Sequence, residues 1–152
     1  MGLALAHALE LPGKLRLDES TYLTVQTIYY PGFTIGGASE PLAILATLIL
    51  LLLTPHAPVK FWWLLVAFLS LAAMQGVFCL RTQPVNRFWL KNEPLGAAGS
   101  RFFSMNRTQR WEKKRNDLQD WRQLRDRWEY SHVIRAVLSG IALIAVTIAI
   151  AV

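Results

Sequence analysis

Three long apolar segments dominate the pattern of hydrophobic and polar positions along the chain. Residues 33–53, 59–80 and 133–152 are almost uninterrupted runs of hydrophobic side chains, and each has one charged residue near its start, Glu40, Lys60 and Arg135 respectively. A helix needs roughly 20 apolar residues to cross a hydrocarbon layer about 30 Å thick. We therefore predict three transmembrane helices at these positions.

A fourth apolar run begins the sequence but is shorter. Residues 1–12 are apolar apart from His7 and Glu10, and a helix of this length, at roughly 1.5 Å per residue, reaches about half-way through a bilayer. Two interpretations remain: the natural start lies upstream of Met1, which we favour, or the run is a partial span packed against the other helices. The predicted fold is all-α, an integral membrane four-helix bundle formed by residues 1–152 as a single domain.

The polar stretch before the last apolar segment has a helical pattern of its own. No Pro or Gly interrupts residues 111–129, and one set of side chains recurs at alternating spacings of three and four. This set is Leu118, Trp121, Arg125, Trp128, His132 and Arg135. The spacing puts all six on one stripe of a helix that continues into the last span. We predict a long extension of that helix, preceded over residues 81–103 by a loop, because Pro84, Pro94 and several glycines interrupt the chain there.

The positive charge is concentrated in the same part of the chain. The net charge is +6, and 13 of the 16 Lys and Arg residues lie within residues 81–135 with only six Asp and Glu. By the positive-inside tendency, residues 81–132 are predicted to be cytoplasmic in a multi-pass protein of a bacterial inner membrane. Acidic residues four positions away from basic ones interleave the charges, as on a solvated helix face. We therefore predict membrane lipids as partners, and no nucleic acid.

A shorter helix is predicted between the first and second apolar runs. Ser20 or Thr21 is a suitable N-cap, after which Tyr22, Val25 and Tyr29 share one face, and Pro31-Gly32 ends the helix. Ser39 is a suitable cap for the following span. We expect the short helix to lie at the membrane interface.

Several polar side chains fall at one level of the membrane in this topology, on the cytoplasmic side. They are His7, Glu10, Glu40, Asn86, Glu129, His132 and Arg135. Glu129 and His132 are three residues apart, as are His7 and Glu10, and a Glu-x-x-His pair is how carboxylate-bridged metal proteins of the helix-bundle type hold iron or manganese. One interpretation is a single transition metal bound by His7, Glu10 and Glu129. The alternative needs no cofactor: Glu129 pairs with Arg125 four residues earlier.

Two motifs resemble a known family. The sequence Pro84-Val85-Asn86, followed by Trp121-x-x-Leu124-Arg125-x-x-Trp128-x-x-x-His132-x-x-Arg135, is similar to the pattern of the anthrone-oxygenase-like family of small four-helix membrane proteins. The resemblance extends from about Tyr29 to the end of the chain. It implies oxidation of anthrones to anthraquinones with molecular oxygen, although many members of that family have no assigned activity.

The residues suggest how such an oxidation would begin. Removing a C–H proton from an acidic aromatic compound requires a base, and His132 is the natural candidate because imidazole changes charge near neutral pH. Arg135 or Arg125 would stabilise the enolate oxygen. Trp121 and Trp128 would stack on a flat ring, and Asn86 is a further predicted substrate contact.

A non-catalytic function explains the same residues differently. Tryptophans at helical spacing near an interface commonly anchor a helix in the membrane, and arginines commonly contact lipid headgroups. The chain would then be an accessory subunit of a larger membrane complex, or a protein that binds lipid or quinone.

Overall fold

The described part of the chain is helical, as the apolar pattern predicts. The structure is a computed structural model that describes residues 2–56, 58–89 and 121–152. Its helices are α1 (Gly2–Lys14), α2 (Glu19–Thr27), α3 (Gly32–Gly36), α4 (Ser39–Leu53), α5 (Val59–Val77), α6 (Gln83–Trp89) and α7 (Trp121–Ala151), with a π-helical turn at Phe78–Thr82 between α5 and α6.

Three helical segments are long and apolar enough to cross a membrane. They are Gly32–Leu53, Val59–Asn86 and Trp121–Ala151. This confirms the predicted all-α membrane bundle, with three helices of sufficient length and apolarity to span. Large aliphatic side chains such as Leu52, Leu53 and Ile150 are mostly exposed, as expected for surfaces that face lipid rather than water. The 13-residue helix α1 is too short to span.

Small side chains bring the long helices together. Ala67 of α5 packs with Ala142 and Ala145 of α7 in one buried cluster, and Leu51 of α4 packs with Leu64 of α5 in another. Small residues allow close helix approach, which drives helix association in lipid where the hydrophobic effect between helices is absent. α5 packs against both α4 and α7, and α1 packs against α7.

The prediction of a loop from residue 81 is wrong for the residues up to Trp89. Pro84 has no N–H, so the carbonyl of Leu80 loses its usual helical donor. Arg127 of α7 donates to that carbonyl from Nη2 at 2.8 Å, and the N–H of Gln83 bonds five residues back to Phe78. The π turn thus carries the helix past the proline. Residues 90–120, with the rest of the predicted loop and the first part of the predicted helical extension, lie outside the described residues.

The beginning of α7 is packed rather than free. Leu124 and Trp128 form a buried cluster with Tyr22 of α2 and with Val85 and Trp89 of α6. The described part of the predicted extension, from Trp121 onward, is thus a wall of the bundle. Arg125, Trp128, His132 and Arg135 of the predicted stripe are buried.

Two predicted helix caps are wrong. Asp18, not Ser20 or Thr21, caps α2: its Oδ1 accepts the N–H of Thr21 at 2.8 Å. Ser39 makes no cap for α4 and instead donates to the carbonyl of Gly36 at 2.7 Å, which joins α3 to α4. The buried face of α2 contains Tyr22 and Gln26.

Candidate active site

A cavity of about 360 Å³ opens among the helices at the level of the predicted polar cluster. Its polar lining consists of His7, Gln26, Thr34, Glu40, Gln75, Thr82, Asn86, His132 and Arg135, and its aromatic lining consists of Tyr29, Tyr30, Phe33, Phe78, Trp89 and Trp128. Sites for small ligands typically measure about 300–1,000 Å³ and combine apolar walls with a few polar groups. The cavity has the size and the composition of such a site.

Arg135 and Glu40 form a buried ion pair in this lining. Nη2 of Arg135 donates to Oε1 of Glu40 at 2.5 Å and to Oε2 at 2.6 Å. The guanidinium also lies 5.0 Å from the ring centroid of Phe78, a cation–π distance. Both side chains are buried within the spanning segments, so each charge depends on the other for compensation.

The contact between Arg135 and His132 fixes the tautomer of the imidazole. Nη1 of Arg135 lies 3.2 Å from Nδ1 of His132. Because guanidinium is always protonated and can only donate, Nδ1 is the acceptor and the proton of the neutral ring is on Nε2. Nε2 is buried and has no hydrogen-bond partner among the residues that the structure describes. His132 therefore has one unused N–H donor.

Trp128 is held in the cavity wall by hydrogen bonds of its indole N–H and of its backbone carbonyl. Its indole Nε1 donates to Oδ1 of Asn86 at 2.6 Å. Its backbone carbonyl accepts from the hydroxyl of Ser131 at 2.6 Å, and that hydroxyl lies 2.8 Å from Oγ1 of Thr82. Since the single hydrogen of Ser131 is committed to the carbonyl, Thr82 is the donor to Ser131. α6 and the π turn thus fix the orientation of this side chain of α7.

His7 brings α1 into the site. Its ring centroid lies 4.2 Å from that of His132 and 4.7 Å from that of Trp128. Its Nδ1 accepts a hydrogen bond from Nζ of Lys14 at 3.0 Å. Burial, followed by the positive charges of Lys14 and Arg135, lowers the pKa of His7 to about 3. The ring is therefore neutral at physiological pH, with its proton on Nε2.

Behind His7 lies a second group of charged side chains. Nζ of Lys14 is 2.9 Å from Oε2 of Glu10 and 3.4 Å from Oε1 of Glu129. The hydroxyl of Tyr29 donates to Glu10 at 2.6 Å, and that of Tyr22 donates to Glu129 at 2.9 Å. Burial raises the pKa of both tyrosines above the usual range, so both remain donors. The two contacts of Glu129 join α1 and α2 to α7.

The Lys14 ammonium stands where the sequence analysis placed a metal ion. All three predicted metal ligands, His7, Glu10 and Glu129, contact its Nζ. Over the described ranges, no group of three or more His, Cys, Asp and Glu side chains is arranged to hold a metal. The physical reason is that the side chain of Lys14 fills the centre of the three.

The comparison with protein families gives a match over most of the chain. The family model described as anthrone oxygenase matches residues 28–145, more than half of the chain. The chain belongs to the anthrone oxygenase family. This confirms the resemblance that the Trp, Arg and His motif indicated. The match contains Glu129 and the cavity-lining residues from Tyr29 to Arg135 but not α1, so His7, Glu10 and Lys14 of this anthrone oxygenase family member lie outside it. Comparisons with curated proteins and with solved structures give no match.

Most, but not all, of the predicted site residues line the cavity of this family member. His132, Arg135, Trp128, Asn86 and His7 do so, although their roles stay predictions. Arg125 and Trp121 are absent from the lining. Arg125 instead bonds Asp126 at 2.7 Å, and its guanidinium lies 5.2 Å from the ring centroid of Trp121. The predicted pair of Arg125 with Glu129 is wrong, because Lys14 and Tyr22 occupy Glu129.

Lys14 and the partner of Glu40 were not predicted from the sequence. Lys14 lies seven residues after His7 and four after Glu10, on the same face of α1, and this spacing was a signal available in the sequence. Glu40 and Arg135 were placed at one membrane level, but their pairing depends on how α4 and α7 are rotated towards each other. Phe33 and Phe78 also line the cavity, but no distinctive spacing in the sequence marked them as site residues.

Proposed function

We propose that this protein uses molecular oxygen to oxidise a flat, weakly acidic aromatic compound of the anthrone type in the cavity between α1, α4 and α7. The observation that carries the proposal is the unused Nε2–H of His132, held next to Arg135 in an aromatic-walled cavity. A carbonyl that becomes an enolate needs such a donor. Membership of the anthrone oxygenase family supports the same reaction class.

The reaction converts a ring CH₂ group into a carbonyl. Loss of the first C–H proton gives a carbanion delocalised onto the existing carbonyl oxygen as an enolate, and this electron pair forms a bond to O₂. The resulting peroxide anion takes up the proton that was removed in the first step. Loss of the second C–H proton then forms the new C=O bond as the O–O bond breaks, and the departing oxygen leaves as water. One O₂ is consumed for each quinone and each water formed.

The cavity supplies a donor and an acceptor for these steps. His132 donates from Nε2 to the enolate oxygen, and Arg135 behind it holds the ring in the donor tautomer. The sequence analysis predicted a base at His132, but its Nδ1 lone pair is committed to Arg135. We assign proton uptake to Glu40, a lining carboxylate whose two oxygens have about four acceptor sites, not all of which Arg135 uses.

The aromatic walls provide the binding energy for a flat ring. Trp128, Phe33 and Phe78 surround the polar end of the cavity, and aromatic pairs contribute on the order of 1 kcal/mol each beyond the area that they bury. A lipophilic substrate dissolved in the membrane would reach this cavity from the lipid. We propose that residues 81–132 face the cytoplasm of a bacterial inner membrane, because the positive charge of the chain is concentrated there.

The proposal is tested by oxygen uptake and quinone absorbance in detergent-purified protein supplied with anthrone, after subtraction of the spontaneous rate. His132→Phe removes the donor and should lower turnover about a thousandfold, whereas His132→Gln keeps an N–H donor and should retain roughly a tenth of the activity. His56→Gln is the matched control, because His56 lies in the α4–α5 connection against Phe61 and should leave turnover unchanged.

Each outcome has a separate meaning. A wild-type rate no higher than the spontaneous rate would overturn the oxidation, and tight quinone binding without turnover would favour the alternative of a quinone-binding protein. Equal loss in His132→Gln and His132→Phe would overturn the donor role and support the base role instead.

A further inference from the structure

One line of polar contacts connects the cavity to the surface of the protein. His7 lines the cavity, its Nδ1 accepts from Lys14 at 3.0 Å, and Lys14 contacts Glu10 at 2.9 Å. His7 and Lys14 are almost completely buried, whereas the side chain of Glu10 is 42% exposed. Glu10 lies just before the polar connection between α1 and α2, which contains Arg16 and Asp18. The line therefore begins at an exposed carboxylate and ends at the substrate cavity.

We propose that Glu10, Lys14 and His7 form a proton relay that delivers protons from the aqueous surface to the cavity. The proposal rests on the oxidation proposed above. The direction follows from the hydrogen bonds: Lys14 donates to Nδ1 of His7, so the imidazole can release its Nε2 proton into the cavity and take a replacement at Nδ1. Glu10 then reprotonates Lys14 from solvent.

The oxidation needs a proton donor of this kind. When the O–O bond breaks, Glu40 takes up the second C–H proton in the same step, so another group has to protonate the departing oxygen. His7 supplies this proton from Nε2, and water leaves. Lys14 restores the proton of His7, Glu10 restores that of Lys14, and the proton held by Glu40 returns to solvent. The cycle has no net uptake of protons.

The groups around the relay keep its members in place. Glu129 faces Lys14 at 3.4 Å and acts as a positioning residue, because its buried carboxylate compensates the ammonium. Tyr29 donates to Glu10, which orients the exposed carboxylate. On the α7 side, His132 and Arg135 face His7. The positive charge of Arg135 favours release of a proton from His7 over its storage there.

The relay is tested with Glu10→Gln, which keeps the hydrogen-bonding shape but cannot carry a proton. Asp126→Asn is the matched control, since Asp126 is also a half-exposed, ion-paired carboxylate but pairs with Arg125, away from the cavity lining. Turnover of anthrone is measured from pH 6 to pH 9 at low and high imidazole buffer. We expect Glu10→Gln to match the wild type at pH 6, to fall roughly tenfold behind it at pH 9, and to recover with buffer. Asp126→Asn should follow the wild type throughout.

A second variant addresses the catalytic residue of the relay. His7→Gln preserves a neutral donor and acceptor but cannot take up a proton while releasing another, so turnover should fall about a hundredfold with KM unchanged. A wild-type protein without activity would overturn the oxidation and the relay together. An active wild type with Glu10→Gln equal to Asp126→Asn at every pH would overturn the relay alone. So would a deficit in Glu10→Gln that neither pH nor buffer changes, because a purely structural role produces that result.

Discussion

Nη2 of Arg135 lies 2.5 Å from one carboxylate oxygen of Glu40 and 2.6 Å from the other, across 95 residues of sequence. This contact joins the start of α4 to α7 inside the spanning part of the bundle. A second buried pair, Lys14 with Glu129, joins α1 to α7. Lys14 contacts His7 and Arg135 contacts His132. Each histidine at the polar end of the cavity therefore lies next to an ion pair.

Removing one member of the Glu40–Arg135 pair should destabilise the fold. Glu40→Gln leaves a buried guanidinium without its counter-charge, and we expect a loss of about 3–5 kcal/mol in the free energy of unfolding, measured by thermal or denaturant unfolding in detergent. Glu19→Gln changes an exposed carboxylate and should cost less than about 0.5 kcal/mol.

The double variant Glu40→Met with Arg135→Met provides the sharper comparison. Because it removes both charges, it should be more stable than either single methionine variant. Double-variant losses equal to the sum of the single losses would show that the two side chains do not depend on each other.

The buried, neutral state of His7 predicts acid sensitivity. Its pKa is about 3 in the folded protein, against about 6.5 for an unperturbed histidine. Above pH 6.5 His7 is unprotonated in both the folded and the unfolded chain, so its titration does not lower the free energy of unfolding there. As the pH falls below 6.5 the unfolded chain takes up a proton that the folded protein refuses, and the free energy of unfolding should fall by up to about 1.4 kcal/mol per pH unit.

This pH dependence is measured by comparing the wild type with His7→Gln in thermal unfolding between pH 7.5 and pH 5. The groups that face His7 are the same in both proteins: Glu10, Lys14, Tyr29, His132 and Arg135. The variant should lose stability less steeply as the solution is acidified. Parallel curves would contradict the assignment of a low pKa to His7.

The indole of Trp128 should affect substrate binding more than turnover. Trp128→Phe removes the Nε1 donor to Asn86 and leaves the aromatic wall thinner, so we expect KM for anthrone to rise several-fold while kcat changes little. Trp121→Phe is the matched control on the same helix, since Trp121 lies outside the cavity lining. A fall in kcat at constant KM would instead place Trp128 in the chemical step.

The contact of Arg127 with the π turn should depend on Pro84. Arg127→Ala removes the donor to the carbonyl of Leu80 and should cost about 1 kcal/mol of stability. In a Pro84→Ala background, residue 84 regains an N–H that can bond to the same carbonyl. The cost of Arg127→Ala should therefore shrink in that background, as measured by a double-mutant cycle of unfolding free energies. An unchanged cost would mean that Arg127 stabilises the protein through another contact.

Much of this fold could be predicted because membrane spans depend on local composition. The segments at 33–53, 59–80 and 133–152 need only length and apolarity to be found. The helix past Pro84 could not be predicted, because a proline normally ends a helix and the compensating donor, Arg127, is 47 residues away from the Leu80 carbonyl that it reaches. Local preferences decide the first case, and a tertiary contact decides the second.

Site residues that share one helix could be predicted from the sequence, whereas contacts between different helices could not. Trp128, His132 and Arg135 were found because spacings of three and four place side chains on one face of a helix. The partners of Glu129 could not be found, because Lys14 and Tyr22 reach it from other helices. The predicted partner was therefore Arg125, four residues earlier on the same helix, which instead pairs with Asp126.

The position of the Lys14 ammonium has a consequence for how the junction of α1 and α7 is made. A cluster of histidine and carboxylates at the edge of a membrane ordinarily needs a cation to balance its charge. Here that cation is covalently part of the chain, so the junction acquires its charge balance as α1 docks, whatever ions the cell supplies. Because His7 and Lys14 belong to the same helix, the packing of α1 against α7 provides both the balancing charge and one wall of the cavity.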